Sequence, residues 1–273
     1  MKITILVASE RKNGNCHLLA RYAEKYIKNK ENESQIVFLK DYALKQCQGC
    51  MSCVFKNTEC KLEDDLYPLA KTLLNTDALI LFAPTYVLTI PGKLKVFLDR
   101  FLCLYPLIKH KTEVPALSIG VASPIDWNQF QLPLMNMFLL ALGCRVVESY
   151  FIYGAGQGEV LLQGNIKLLE KSMENIIKYV PAPFVSIISR CCPVDFCNLF
   201  QKIDKDLYQC PVCLTPARVV EEGFYFDARD LNNHRWTKKK MEEHFKDWIL
   251  TTKERFRRLL PEIYKKKREL QIG

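Results

Sequence analysis

Lys2-Ile3-Thr4-Ile5-Leu6-Val7 is a mostly apolar run, and Ser9-Glu10-Arg11-Lys12-Asn13-Gly14-Asn15-Cys16 follows it as a polar turn containing one glycine. Leu18, Leu19, Tyr22, Ala23 and Tyr26 then recur at helical spacing. An apolar run without alternation reads as a strand buried on both faces of a parallel sheet. Strand, polar glycine turn and helix together present backbone N–H groups to a phosphate. Ser9 and Asn15 add side-chain donors, and Arg11 adds charge. An ordinary βα turn with exposed polar residues has the same composition, so the turn alone selects neither reading.

The same alternation continues outward. Strands are expected at 36–39, 78–83, 115–121 and 146–153, with helices at about 63–75, 92–100, 127–142 and 166–180 between and after them. Glu63-Asp64-Asp65 suits the dipole of a helix start, and Gly143 suits a helix C-terminus. Pro181-Ala182-Pro183 ends the last helix. The expected fold is α/β, a doubly wound five-stranded parallel sheet over 1–183. Open sheets of this kind bind ligands at their carboxyl edge. That edge carries Pro84-Thr85-Tyr86-Val87 and Ala122-Ser123-Pro124. Tyr86 reads equally as a ligand contact or as a packing aromatic. Gly154-Ala155-Gly156-Gln157-Gly158 follows the last strand, so it is a loop and not a dinucleotide fingerprint, which belongs in the first βα turn.

Cys47-Gln48-Gly49-Cys50-Met51-Ser52-Cys53, completed by Cys60, sets three thiols at every third residue and a fourth soon after. This compact form suits an iron–sulfur cluster, whereas zinc more often takes two separated C-x-x-C knuckles. A four-iron cluster is the expectation, with zinc or unligated thiols as competitors. Further on, Cys191-Cys192-Pro193-Val194-Asp195-Phe196-Cys197 precedes Cys210-Pro211-Val212-Cys213. We expect a small zinc-ribbon-like module over 184–230 with Cys192, Cys197, Cys210 and Cys213 as ligands. Cys191 or Asp195 are substitutes for one of the first two, and metal-free thiols are the competitor. So short a segment has little core of its own and is expected to be a separate, metal-stabilised unit.

Residues 231–273 read as one basic amphipathic helix, capped by Thr237 with Trp236 and Met241 as a staple. Phe245, Trp248, Ile249 and Phe256 form its stripe. The formal net charge is +9, much of it in Lys238-Lys239-Lys240, Arg255, Arg257-Arg258 and Lys265-Lys266-Lys267-Arg268. No base-stacking aromatics interleave with these charges, so a solvated face is preferred to a nucleic-acid surface. His234 and His244 are metal ligands by type, but their distance from the cysteines favours packing or surface roles; His17 and His110 have no evident partner.

The chain has 273 residues, 49% hydrophobic, enough for a sizeable core. No apolar run reaches membrane-spanning length, and the N-terminus has no signal-peptide pattern. A cytoplasmic protein is expected, and its twelve cysteines favour metal binding over disulfides.

The joint order of these motifs resembles the flavodoxin-like NAD(P)H-dependent FMN reductases over roughly 1–180. Residues 9–15 resemble their first FMN-phosphate loop, 83–86 their second flavin loop and 92–100 the helix after it. Cys47, Cys50, Cys53 and Cys60 match the iron–sulfur flavoprotein branch. The C-terminal cysteine segment loosely resembles zinc-ribbon extensions of some relatives. The resemblance implies FMN, with phosphate at Ser9, Arg11, Asn13, Gly14, Asn15 and Cys16. It implies flavin contacts from Pro84, Thr85, Tyr86, Val87, Ala122 and Ser123. It implies a four-iron four-sulfur cluster nearby, NAD(P)H or a ferredoxin-like protein as donor, and a homo-oligomer placing one subunit's flavin near another's cluster. No side chain is assigned as acid or base. The chain departs from the pattern at Ala8, at Cys16 and in its glycine-free third loop. The implied function is an FMN-dependent electron-transfer oxidoreductase. Its alternatives are an FMN reductase without a cluster, and a cofactor-free protein that binds a partner through the zinc module and basic helix.

Overall fold

The computed structural model describes residues 1–123, 125–162 and 164–272. The central sheet contains β1 (Lys2–Val7), β2 (Glu33–Phe38), β3 (Ala78–Pro84), β4 (Val114–Ala122) and β5 (Cys144–Tyr153). All pairings are parallel, and the order is β2-β1-β3-β4-β5. Ile5 stands opposite Ile36 on one side and Ile80 on the other. The central strands β1, β3 and β4 are buried almost throughout, whereas the edge strands β2 and β5 are only partly buried. This is why the central strands read as unbroken apolar runs.

The helices of this layer are α1 (Asn15–Asn29), α2 (Ser52–Phe55), α3 (Leu66–Leu74), α4 (Gly92–Leu98), α5 (Phe101–Ile108), α6 (Gln131–Ala141) and α7 (Asn165–Ile177). Leu19 and Ile27 of α1 and Met173 of α7 pack with Ile5, Ile80 and Ile119 on one face. Leu69, Leu94, Leu104 and Phe138 pack with Leu6, Leu81 and Ala116 on the other. Each such side chain, fully buried, contributes about 1.5–3 kcal/mol relative to exposure. The strand order reverses between β1 and β3, which makes their carboxyl ends the crevice for a ligand.

A second, antiparallel sheet follows: β6 (Ile187–Ser189), β7 (Gln201–Lys202), β8 (Leu207–Gln209), β9 (Pro216–Val220) and β10 (Gly223–Phe226), in the order β6-β10-β9-β8-β7. Its Cys192, Val194, Cys213, Ala217 and Phe226 share one buried cluster with Met135, Phe138 and Val146 of the first layer. The segment is thus docked and shares its core with the larger sheet.

The C-terminal segment is helical as expected, with a π-helical turn inside it. The chain forms α8 (Ala228–Leu231), α9 (Lys238–Glu243), a π-helical turn over His244–Ile249 and α10 (Thr252–Glu269). Thr237 Oγ1 accepts from Lys240 N at 3.3 Å, so the cap is where the sequence puts it. Trp236 donates its indole N–H to Val212 O at 3.0 Å. Phe245, in the π turn, stacks on Tyr105 with centroids 3.7 Å apart. Trp248 and Phe256 remain exposed. Among the described residues no helix is long and apolar enough to cross a membrane.

Candidate functional site

The turn after β1 enters α1 through Gly14, and Asn13 adopts a left-handed backbone (φ 55°). Ser9 is buried, and its Oγ accepts from Arg11 N at 3.3 Å. His17 Nδ1 accepts from Asn13 N at 3.1 Å, which locks the turn against the first coil of α1. Burial, with Lys40 and Arg21 nearby, holds His17 below its ordinary range, so the ring stays neutral and can accept. The first-turn N–H groups at Asn15, Cys16 and His17 have no intrahelical acceptor and open onto the turn. The backbone therefore fits an FMN phosphate. The sequence leaves His17 without a partner; its place four residues after Asn13 is the signal for this contact.

Two side chains expected at the phosphate are placed otherwise. Asn15 donates to Gly154 O at 3.1 Å and Gly156 O at 3.0 Å, and it accepts from Gly158 N at 2.8 Å. Its side chain fastens the glycine loop to the turn. A Cβ at Gly154 would lie 2.8 Å from Val160, and Gly158 needs φ 88°, so both glycines are required for this contact. The Cys16 thiol points into the core, and burial pushes it up to about 12. Only its N–H remains for a ligand. Arg11 is exposed at the turn.

At the end of β3, Thr85 N donates to Val121 O at 2.9 Å, and its hydroxyl hydrogen-bonds Gln131. Gln131 also donates to Ala83 O at 2.7 Å from a fully buried position. Tyr86 and Thr89 exchange both backbone bonds around Val87 (φ 45°) and Leu88 (φ 69°). A tight turn with two left-handed residues favours Asn-Gly; a branched valine there is strained by about 1–3 kcal/mol. Val87 is 85% exposed and Tyr86 41%. Ala122 is buried at the end of β4 and Ser123 is exposed; Pro124 lies outside the described residues.

The cysteine loop leaves β2 at the same edge. Cys47, Cys50, Cys53 and Cys60 all line one cavity of about 40 Å³, together with Arg100 and Cys103. Asp64 and Arg100 form an ion pair with both side chains 1% exposed. Asp64 also accepts from Lys45 N at 2.7 Å, and Asp65 accepts from Ala43 N at 2.7 Å. These acids were expected only to favour a helix start; they pin the cysteine loop. Tyr67 Oη accepts from Cys60 N at 2.8 Å. Arg100 Nε and Nη2 are buried without an acceptor, and Cys60 lies beside the guanidinium. An anionic thiolate cluster would satisfy these donors, so the residues fit such a group. Cys103 is pushed up to about 11 by burial, and its Sγ donates to Arg100 O at 3.0 Å. Neither Cys103 nor Arg100 was singled out in the sequence.

The other cysteine set converges more tightly. Ligand atoms of Cys192, Asp195, Cys210 and Cys213 all lie within 4.8 Å of one another, and all four residues are buried. Cys192 and Cys213 sulfurs are 3.3 Å apart. Burial, with Cys210 close by, pushes Asp195 up to about 8. Despite its burial, Cys213 is held down to about 6 by hydrogen bonds from Cys192 and Cys210. Four acidic groups share a space that a divalent cation would neutralise. The expected set names Cys197, with Asp195 as a substitute; the mutually close group contains Asp195, and the Cys197 thiol hydrogen-bonds Cys210 beside it. Tetrahedral zinc with ~2.3 Å bonds to sulfur sets its thiolates roughly 3.8 Å apart. The four sulfurs of the 47–60 loop make no such tight set among the described residues, and a cluster needs wider spacing.

Residues 1–158 match the family described as NADPH-dependent FMN reductase. Two iron–sulfur flavoproteins of Archaeoglobus fulgidus are each 33% identical to the chain. One aligns over 100 residues, 37% of this chain and 48% of that protein. The other aligns over 162 residues, 59% of this chain and 72% of that protein. The first match thus spans about half the relative's length. A solved structure of a flavone reductase superposes with TM-score 0.72 over 99% of this chain and 96% of its own, at 15% identity. That likeness is one of fold, and it extends through the second sheet and the C-terminal helices.

Proposed function

Because this chain belongs to the NADPH-dependent FMN reductase family, we propose that it is an FMN-dependent electron-transfer oxidoreductase with a four-iron four-sulfur cluster on Cys47, Cys50, Cys53 and Cys60. The observation that carries the reading is the cavity where four thiols meet buried, acceptor-free Arg100 donors, at the sheet edge that holds the phosphate-type turn. The relatives named iron–sulfur flavoproteins support it.

Backbone N–H groups of residues 15–17 and the charge of Arg11 hold the FMN phosphate. Pro84, Thr85, Tyr86, Val87, Ala122 and Ser123 frame the ring system. Gln131 fixes Thr85, and Asn15 keeps the glycine loop closed over the turn. FMN supplies exchange between two-electron and one-electron donors, and a cluster supplies one-electron transfer. Arg100 offsets the negative charge of the thiolates, and Asp64 keeps Arg100 in place. NAD(P)H or a ferredoxin-like protein is the donor class. Exposed Val87, Ile125 and Trp127 at this edge support a homo-oligomer.

Anaerobic purification with FMN, iron, acid-labile sulfide and zinc analysis tests the reading. Cys50→Ser should remove the broad visible absorption of a cluster while FMN stays bound. Arg11→Ala should weaken FMN about 10- to 100-fold, the range of one charge-assisted bond. Zinc at this loop with no acid-labile sulfide would leave a plain FMN reductase.

A further inference from the structure

Two segments of the second sheet repeat one another: Cys192-Pro193-Val194-Asp195-Phe196-Cys197 and Cys210-Pro211-Val212-Cys213-Leu214-Thr215. The backbone repeats with them. Phe196 N donates to Cys192 O at 2.8 Å, and Leu214 N donates to Cys210 O at 2.9 Å. Cys192 N donates to Cys197 O at 2.8 Å, and Cys210 N donates to Thr215 O at 3.0 Å. Phe196 (φ 56°) and Leu214 (φ 62°) are both left-handed at the fifth position. The two are therefore the same knuckle, built twice and facing itself.

The repeat sorts the side chains by position. First and fourth positions are Cys192 and Asp195 in one knuckle, Cys210 and Cys213 in the other. Those four are the converging, fully buried group. The sixth position is Cys197 in one and Thr215 in the other. Thr215 Oγ1 lies 3.0 Å from Cys213 Sγ, supporting a ligand position without occupying one. Cys197 does the same for its knuckle: its N–H donates to Asp195 Oδ1 at 3.0 Å, and its thiol lies between Leu199 O, at 3.4 Å, and the Cys210 thiol. Asp195 Oδ1 is thereby oriented, and Oδ2 faces the Cys210 sulfur at 3.2 Å, where a cation would sit between them.

We propose that Cys192, Asp195, Cys210 and Cys213 hold one zinc ion, with Asp195 in the place of a fourth thiolate and Cys197 a positioning residue. Three soft thiolates select zinc among abundant divalent ions, and carboxylate oxygen is an accepted fourth ligand. A group hydrogen-bonded to a ligating carboxylate is the usual outer partner of such a centre. The centre ties β6–β10 onto α6, since Asn136 of α6 donates to Asp195 O at 2.7 Å.

The test uses the full-length protein. Zinc content and cobalt(II) absorption are compared among wild type, Cys197→Ala, Cys210→Ala and Asp195→Cys. Cys197→Ala should keep the wild-type zinc content and cobalt spectrum. Cys210→Ala should lose one zinc. Asp195→Cys should keep zinc, and its sulfur-to-cobalt band should rise by roughly one third of this site's share, as three thiolates become four. Loss of zinc in Cys197→Ala, or an unchanged band in Asp195→Cys, would assign the fourth ligand to Cys197 and overturn the proposal. Equal zinc in wild type and Cys210→Ala would show that these residues hold none. Failure of Cys210→Ala to fold leaves the other two variants to decide.

Discussion

Asn136 Nδ2 donates to the backbone carbonyl of Asp195 at 2.7 Å, joining α6 of the parallel sheet to the cysteine knuckles. Five residues earlier on the same helix, Gln131 holds Ala83 and Thr85 at the carboxyl edge of the sheet. One helix thus carries one fully buried amide to the sheet edge and another to the knuckles. Asn136 also donates to Ser149 Oγ at 2.9 Å. Asn136→Ala strands a buried carbonyl and should cost about 1–3 kcal/mol. Urea unfolding of the purified protein measures this, and an unchanged midpoint would show that the contact is dispensable.

Asp64 and Arg100 are each 1% exposed, and the pair holds the cysteine loop through Lys45. Removing one partner leaves the other buried and uncompensated, at a cost of about 3–5 kcal/mol. Asp64→Ala should therefore destabilise more than the double variant D64A/R100M. A double-variant cycle in urea separates the two, and equal losses would mean that the pair is not coupled.

The central strands were legible because burial on both faces leaves an apolar run with no competing pattern. The Asp64–Arg100 pair was not, because 36 residues separate its members and only the fold brings them together. Asn15 was read by residue type as a phosphate donor, yet its partners lie about 140 residues away in the glycine loop. The knuckle repeat stood in plain view at 192–197 and 210–215. Counting cysteines drew attention to Cys197, whereas the backbone register puts Asp195 in the ligand position. The π turn at 244–249 holds Phe245, which stacks on Tyr105, a tertiary contact that helical periodicity cannot report.

His234 gives stability a pH dependence. Burial first, and repulsion from Arg145 second, lower it from its ordinary 6.5 to about 4. Its Nδ1 accepts from Trp236 N at 3.2 Å, which a doubly protonated ring cannot do. The unfolded state therefore binds more protons between these values. The contribution is fully present above pH 6.5 and is lost as pH falls towards 4. Urea midpoints from pH 7.5 to 4.5 should fall less in His234→Gln than in wild type. Parallel curves would assign the pH dependence elsewhere.

Val87 and Leu88 occupy a turn better suited to Asn-Gly. V87N/L88G should raise the thermal midpoint, relieving about 1–3 kcal/mol of strain. If the strained valine frames the flavin ring, FMN affinity should drop in the same variant. A stability gain with unchanged affinity would remove Val87 from the flavin contacts and leave the strain without a role there.

Cys103 shares the cavity wall with the four loop thiols, so it competes with Cys60 for the role of ligand. Its burial keeps it protonated, and its Sγ–H is already given to Arg100 O at 3.0 Å. Cys60 differs: its N–H is held by Tyr67, and its sulfur faces the Arg100 guanidinium across the cavity instead of being tied to a backbone carbonyl. Ligation requires the thiolate. Cys103→Ala should therefore retain wild-type iron and acid-labile sulfide, whereas Cys60→Ala should lose most of both under the same anaerobic preparation. If Cys103→Ala loses iron and Cys60→Ala keeps it, the fourth thiol comes from α5, and the 47–60 loop supplies only three.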